Sequence, residues 1–159
     1  SIKKGYDTAV NKFSKDLLKI VLFSIATGTP PKGTGINWEP HSPITTKKYG
    51  EHPIYYLTGT YYRAIGLFKY KDRTLVGLPR SKGRSSSGGI TLGELARILE
   101  YGTGGRGGGK SSGTIPPRPL WNPAINAVGG KDRLRSMIIK NIRKQLYGFG
   151  IRANQVRWR

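Results

Sequence analysis

The stretch "GGRGGGKSSGTIPPRP", Gly104 to Pro119, decides whether a nucleotide-binding fold is in play. Its first eight residues, Gly104 to Ser111, match Gly-x-x-x-x-Gly-Lys-Ser, the spacing with which a glycine loop cradles phosphates. Such a loop must leave a buried strand and enter a helix whose first amides and dipole hold the anion. Here the order is different. The segment before the glycines, "LGELARILEYG" (Leu92 to Gly102), has helical spacing, and Pro116 and Pro117 forbid a helix in the turns where phosphates would sit. No aspartate ends an apolar strand to hold magnesium: Asp7 and Asp16 lie in a helical pattern, Asp72 in a turn and Asp132 at a helix start. In a chain with 23 glycines, the match is a glycine loop carrying Arg106 and Lys110.

Working outward from this loop, Thr91 followed by Glu94 predicts a capping box, Leu95, Ile98 and Leu99 an apolar stripe, and Gly102 the helix end. On the other side, Asn122 and Pro123 mark the start of a helix in "NPAINAV". Beyond Gly129 and Gly130, the spacing of Leu134, Ile138, Ile142 and Leu146 predicts another helix, with Arg133, Arg135, Lys140, Arg143 and Lys144 on a basic face. Toward the N-terminus, Val10, Phe13, Leu17, Leu18, Val21, Phe23 and Ile25 predict an amphipathic helix over Tyr6 to Ile25, ended by Gly28 and Pro30. The Pro- and Gly-rich stretch that follows predicts a long loop with a short strand near Ile36 to Trp38. Aromatic and branched residues then predict two antiparallel strands, about Arg63 to Tyr70 and Thr74 to Leu78, turning at Lys71 to Arg73. "RSKGRSSSGG" (Arg80 to Gly89) is a basic loop of low complexity, and residues 149–159 form a basic arm after a single domain over 1–148.

Charge dominates the composition. Twenty-eight Lys and Arg against eight Asp and Glu leave a formal +20 on 159 residues, and residues 130–159 hold nine basic residues against one acid. An excess of this size suits an anionic partner, either DNA phosphate or an acidic protein. Cysteine is absent, which excludes disulfides and thiol chemistry, and His41 and His52 supply at most half a zinc site. No apolar run approaches the roughly 20 residues of a membrane span, and no signal-peptide pattern opens the chain, so a soluble protein made without secretion is expected. The acids are scattered, and no nucleophile–base arrangement appears; catalytic, cofactor and metal sites are therefore not expected. Glu100, beside Tyr101, reads as a polar helix-end residue or an intersubunit contact.

Five blocks in this order, "TPPKGTGINW" (Thr29 to Trp38), "LTGTYYRAI" (Leu57 to Ile65), "TLVGLP" (Thr74 to Pro79), "LARILEYGT" (Leu95 to Thr103) and "IPPRPLWNPAI" (Ile115 to Ile125), resemble the neck and tail-completion proteins of long-tailed double-stranded DNA bacteriophages. The last two blocks are the most specific: an apolar helix ending in an acidic-aromatic-Gly-Thr step, a variable loop, then Ile-Pro-x-Arg-Pro-aromatic leading into a final helix. The chain departs from that pattern in Leu120 and Trp121 where a Phe-Leu pair is usual, in a longer glycine loop and in its basic arm. The resemblance implies an α+β subunit, a small antiparallel sheet packed against an N-terminal and a C-terminal helix with long Gly/Pro-rich loops. It also implies a structural virion protein, without cofactor, that assembles as a homo-oligomeric ring, most often a hexamer, in the neck or at the head-proximal end of the tail, after a stage in the host cytoplasm. Its partners would be head-closure or connector proteins, tail-tube or terminator proteins and the packaged DNA in the channel, with no membrane.

On this reading, Glu100, Arg106, Lys110, Arg118, Leu120 and Trp121 are expected at subunit or partner contacts, and Arg80, Lys82, Arg84, Arg135, Lys140, Arg143 and Lys144 against channel DNA or an acidic partner. Arg118, held between prolines, suits a fixed ion pair with Glu100 or a neighbouring subunit, in which case Arg118→Ala would spare the fold and weaken assembly. The other reading of the Pro-Arg-Pro block is a rigid connector inside one subunit. An alternative function is a basic nucleic-acid-binding protein without sequence specificity, with Tyr55, Tyr56, Tyr61, Tyr62 and Arg63 as a stacking platform.

Overall fold

The computed structural model describes residues 1–53, 59–71, 73–79, 91–103 and 115–148. Its spine is α1 (Ile2–Thr27), longer at both ends than its apolar spacing predicts. The extension has local causes. Ser1 caps the start by accepting from the Lys4 amide, and Gly28 ends it in the left-handed conformation (φ 67°). Gly5, Ala9, Phe13, Leu17, Val21 and Ile25 line its buried face, whereas Phe23 of the expected apolar set is half exposed.

Two corrections concern the long connection after α1. The expected strand near Ile36 to Trp38 is absent; Trp38 is instead buried and donates its indole N–H to the Pro119 carbonyl at 3.0 Å, so a side chain rather than a ladder holds the segment. A helix that periodicity missed, α2 (Pro43–Tyr49), follows, with Ser42 as its cap and Pro43 in its first turn.

The first strand also starts later than expected. Arg63 and Ala64 belong to α3 (Thr60–Ala64), because Tyr61 and Ala64 are both buried and a three-residue spacing puts them on one helical face, whereas a strand would turn them apart. The sheet is β1 (Gly66–Lys69) antiparallel to β2 (Thr74–Gly77), with Leu67 opposite Val76 and Phe68 opposite Leu75. Tyr70 N–H to Arg73 C=O, 2.8 Å, closes the expected turn.

Helix α4 (Leu92–Tyr101) carries the expected capping box, Thr91 and Glu94 bonding reciprocally, and ends at Gly102. An extended run, 115–120, leads into α5 (Trp121–Ala127) and then α6 (Gly130–Tyr147). The glycine stretch is thus flanked by a helix and an extended segment, as its neighbours in sequence predict. The loops Arg80 to Gly89 and Gly104 to Gly113, and the arm 149–159, lie outside the described residues.

The fold is α+β, with the two-stranded sheet packed on α1 and α1 packed on α6. The helix pair is antiparallel: Gly5 meets Asn141 and Ile142, while Asp16, farther along α1, pairs with Arg133 near the start of α6 at 2.9 Å. The same Arg133 donates to the Val128 carbonyl at 2.7 Å, a cation at the C-terminal end of α5. Around α1 the core gathers Trp38, Tyr61, Ile65, Leu92, Leu120, Ala124 and Val128.

The Gly5 crossing is tight enough to test. A Cβ there would lie 2.9 Å from Asn141 O and Ile142 N, both backbone atoms that cannot swing aside. Gly5→Ala should lower the urea midpoint, losing about 1–3 kcal/mol to overpacking despite the roughly 1 kcal/mol that alanine adds in a helix.

Candidate functional site

The two blocks flanking the glycine stretch are bonded into one unit. Thr103 N–H donates to the Ile115 carbonyl (3.0 Å), Ile115 N–H to the Thr103 hydroxyl (2.9 Å) and Arg118 N–H to the Leu99 carbonyl (2.7 Å). Gly102 makes this approach feasible: with φ 71°, its missing Cβ would sit 2.6 Å from Ile115 O.

Glu100 closes the unit from inside. Its carboxylate, 8% exposed, accepts from Leu120 N–H at 2.8 Å and from Trp121 N–H at 3.3 Å. The cap position of α5 is Leu120, which has no acceptor of its own, and α5 begins at Trp121, one residue ahead of the expected Asn122. A carboxylate twenty residues earlier in the chain does the capping, and its charge suits the positive end of the helix. The Tyr61 phenol, 4% exposed, lies beside this group; burial pushes its pKa well above the usual tyrosine range, and the Glu100 charge adds to the rise.

Arg118 points the other way. Its guanidinium, 4% exposed, donates through Nε to the Glu39 carbonyl (2.9 Å) and through an Nη to the Pro40 carbonyl (3.1 Å). The expected ion pair with Glu100 is not formed, because that carboxylate is held on the α5 amides. Glu100, Arg118 and the fully buried Leu120 are interior groups whose bonds join segments of one chain, and this burial fits the rigid-connector reading of the block. Trp121 is partly buried, its ring within 3.6 Å of where a Gly77 Cβ would stand, so it carries the unit onto β2.

Residues 39–53, which bring Glu39 and Pro40 to Arg118, also bring two histidines together. The His41 and His52 rings lie 4.3 Å apart, and His41 Nε2 and both His52 nitrogens are buried without a hydrogen-bond partner. Burial, then the charges of His52 and Arg118, hold the His41 pKa below the usual imidazole range. Among the described residues no group of three or more potential ligands could hold a metal.

Arg106, Lys110, Arg80, Lys82 and Arg84 lie outside the described residues, and Arg135, Lys140, Arg143 and Lys144 are exposed on α6. Of the stacking platform, Tyr61 is in the core, Tyr62 packs against it, Arg63 is exposed, and Tyr55 and Tyr56 lie outside the described residues. Sequence reasoning missed Trp38 and the carbonyls of Glu39 and Pro40 as partners of the block. The available signal was a tryptophan in a Pro/Gly-rich loop, whose indole can leave water only against another segment. Among the described residues, no helix is long and apolar enough to cross a membrane. The chain matches no protein-family model, and neither a curated protein nor a solved structure shows significant similarity to it.

Two outcomes test this geometry. Glu100→Ala strands the buried Leu120 amide and the part-buried Trp121 amide and should cost about 2–3 kcal/mol in urea unfolding, with Glu100→Gln, which keeps an acceptor, falling between it and the parent. His41 sets a pH dependence. Because the folded chain binds a proton at His41 less readily than the unfolded chain, stability is full above about pH 6.5 and falls as the pH drops below it. The urea midpoint should therefore decline between about pH 7.5 and about pH 5.5, and His41→Gln should flatten that slope.

Proposed function

We propose that this chain is a structural virion protein that forms a ring in the neck, or at the head-proximal end of the tail, of a long-tailed double-stranded DNA phage. It completes the tail and joins it to the head around the DNA channel, after a stage in the host cytoplasm. The observation that carries the reading is that three of the five blocks resembling that family meet at one place. Trp38 ends the first, Glu100 and Thr103 belong to the fourth, and Ile115, Arg118 and Pro119 to the fifth; hydrogen bonds tie Thr103 to Ile115, Glu100 to the start of α5 and Trp38 to Pro119. A sequence pattern spent on binding one segment to another suits a subunit that must hold its shape under load, and its buried groups are occupied by backbone rather than poised toward a cleft.

The formal +20 supports the same reading, since such a ring meets DNA or acidic neighbours. It equally favours the second reading, a basic protein that binds nucleic acid without sequence specificity. The two separate in the parent phage. With a nonsense codon in this gene, electron microscopy of lysates should show filled heads beside unattached tails, or tails of uncontrolled length; intact infectious particles would overturn the virion role.

A further inference from the structure

On α6, the face turned toward α1 carries Gly5's neighbours Asn141 and Ile142, with Leu134 and Met137 packed against the core. The opposite face is an open groove lined by Ser136, Ile139, Lys140, Arg143, Lys144 and Tyr147. Its three cations have no acidic partner among the described residues, in contrast to Arg133, which is neutralised by Asp16 on the same helix pair. Its floor is apolar, from the partly buried Ile139 to the half-exposed Tyr147 ring. Those two are eight residues apart, about 12 Å along the helix, so roughly two turns of apolar surface are flanked by lysine and arginine.

We propose that this groove docks an acidic amphipathic helix from a different protein, with an apolar stripe on Ile139 and Tyr147 and carboxylates on Lys140, Arg143 and Lys144. As a docking site for a neighbouring assembly protein, the inference rests on the virion reading above. Charge selects the occupant. Residues 149–159, which follow the groove in the chain, contain three arginines and no acid and would be repelled, and a second copy of a chain with a formal +20 offers a poor counter-surface. Duplex DNA would satisfy the cations, but its hydrated sugar-phosphate edge gains nothing from an apolar floor, whereas an amphipathic helix buries that floor while pairing its carboxylates.

The test uses the full chain and a fluorescein-labelled synthetic helix with leucines along one face and glutamates flanking them. The controls are a peptide of the same composition with the stripe scrambled, and a short duplex DNA. Anisotropy should show the striped peptide binding at least about tenfold more tightly than the scrambled one. Lys140→Glu/Arg143→Glu/Lys144→Glu should abolish that binding, and Ile139→Ser should weaken it about tenfold, with circular dichroism unchanged. Equal binding of both peptides would reduce the groove to a charge patch and overturn the proposal. So would duplex DNA that depends on the three cations and that the striped peptide fails to displace. Failure of the virion reading is read separately, as intact particles from the nonsense phage; a groove that fails leaves the peptide unbound while that phage still accumulates unjoined heads and tails.

Discussion

The buried carboxylate of Glu100 on the first amides of α5 is the constraint from which the rest of the structure follows. The core requires a leucine at the point where α5 begins, and Leu120 is fully buried there. Leucine cannot cap a helix, so the acceptor has to come from elsewhere, and it comes from the last turn of α4. Desolvating a carboxylate is costly; two charge-assisted bonds and the positive end of the helix offset that cost. Once the end of α4 is tied to the start of α5, Leu120, Ala124 and Val128 are delivered together to the core built on α1.

The extended run 115–120 is what allows this tie. Pro116, Pro117 and Pro119 lack N–H donors, so the run passes from the surface at Ile115 to the buried Leu120 with few backbone groups to satisfy. The donors it does have are used: Ile115 and Arg118 bond back to Thr103 and Leu99. Arg118 then spends its guanidinium on carbonyls of the loop after α1, and Trp38 on that loop bonds back to Pro119. A cation inside a protein this basic is tolerated because peptide carbonyls, whose dipoles it meets at close range, replace its water.

The surface treats charge differently. Arg133 is neutralised at the α1–α6 contact, but Lys140, Arg143 and Lys144 stand beside one another on the outer face of α6 with no counter-charge among the described residues. Like charges so placed repel and reduce the stability of the free chain. That disadvantage disappears when an anionic partner covers them, as the proposed acidic helix would.

Much of this was legible in the residues alone. The apolar spacing of α1, α4 and α6, the Thr91–Glu94 capping box and the turn at Lys71 to Arg73 all rest on interactions within a few positions of chain, where periodicity and capping chemistry are nearly sufficient. The short elements were not legible in that way: α2 and α3 are too brief to show a period, and α3 is helical because Tyr61 and Ala64 must both reach the core. The site was divided in the same manner. Sequence singled out Glu100 and Arg118 as charged groups in a rigid setting, but only tertiary structure decided that one holds amides and the other carbonyls rather than each other. Their partners lie about 20 and about 80 positions away, a separation at which chain spacing carries no information and packing alone determines which groups meet.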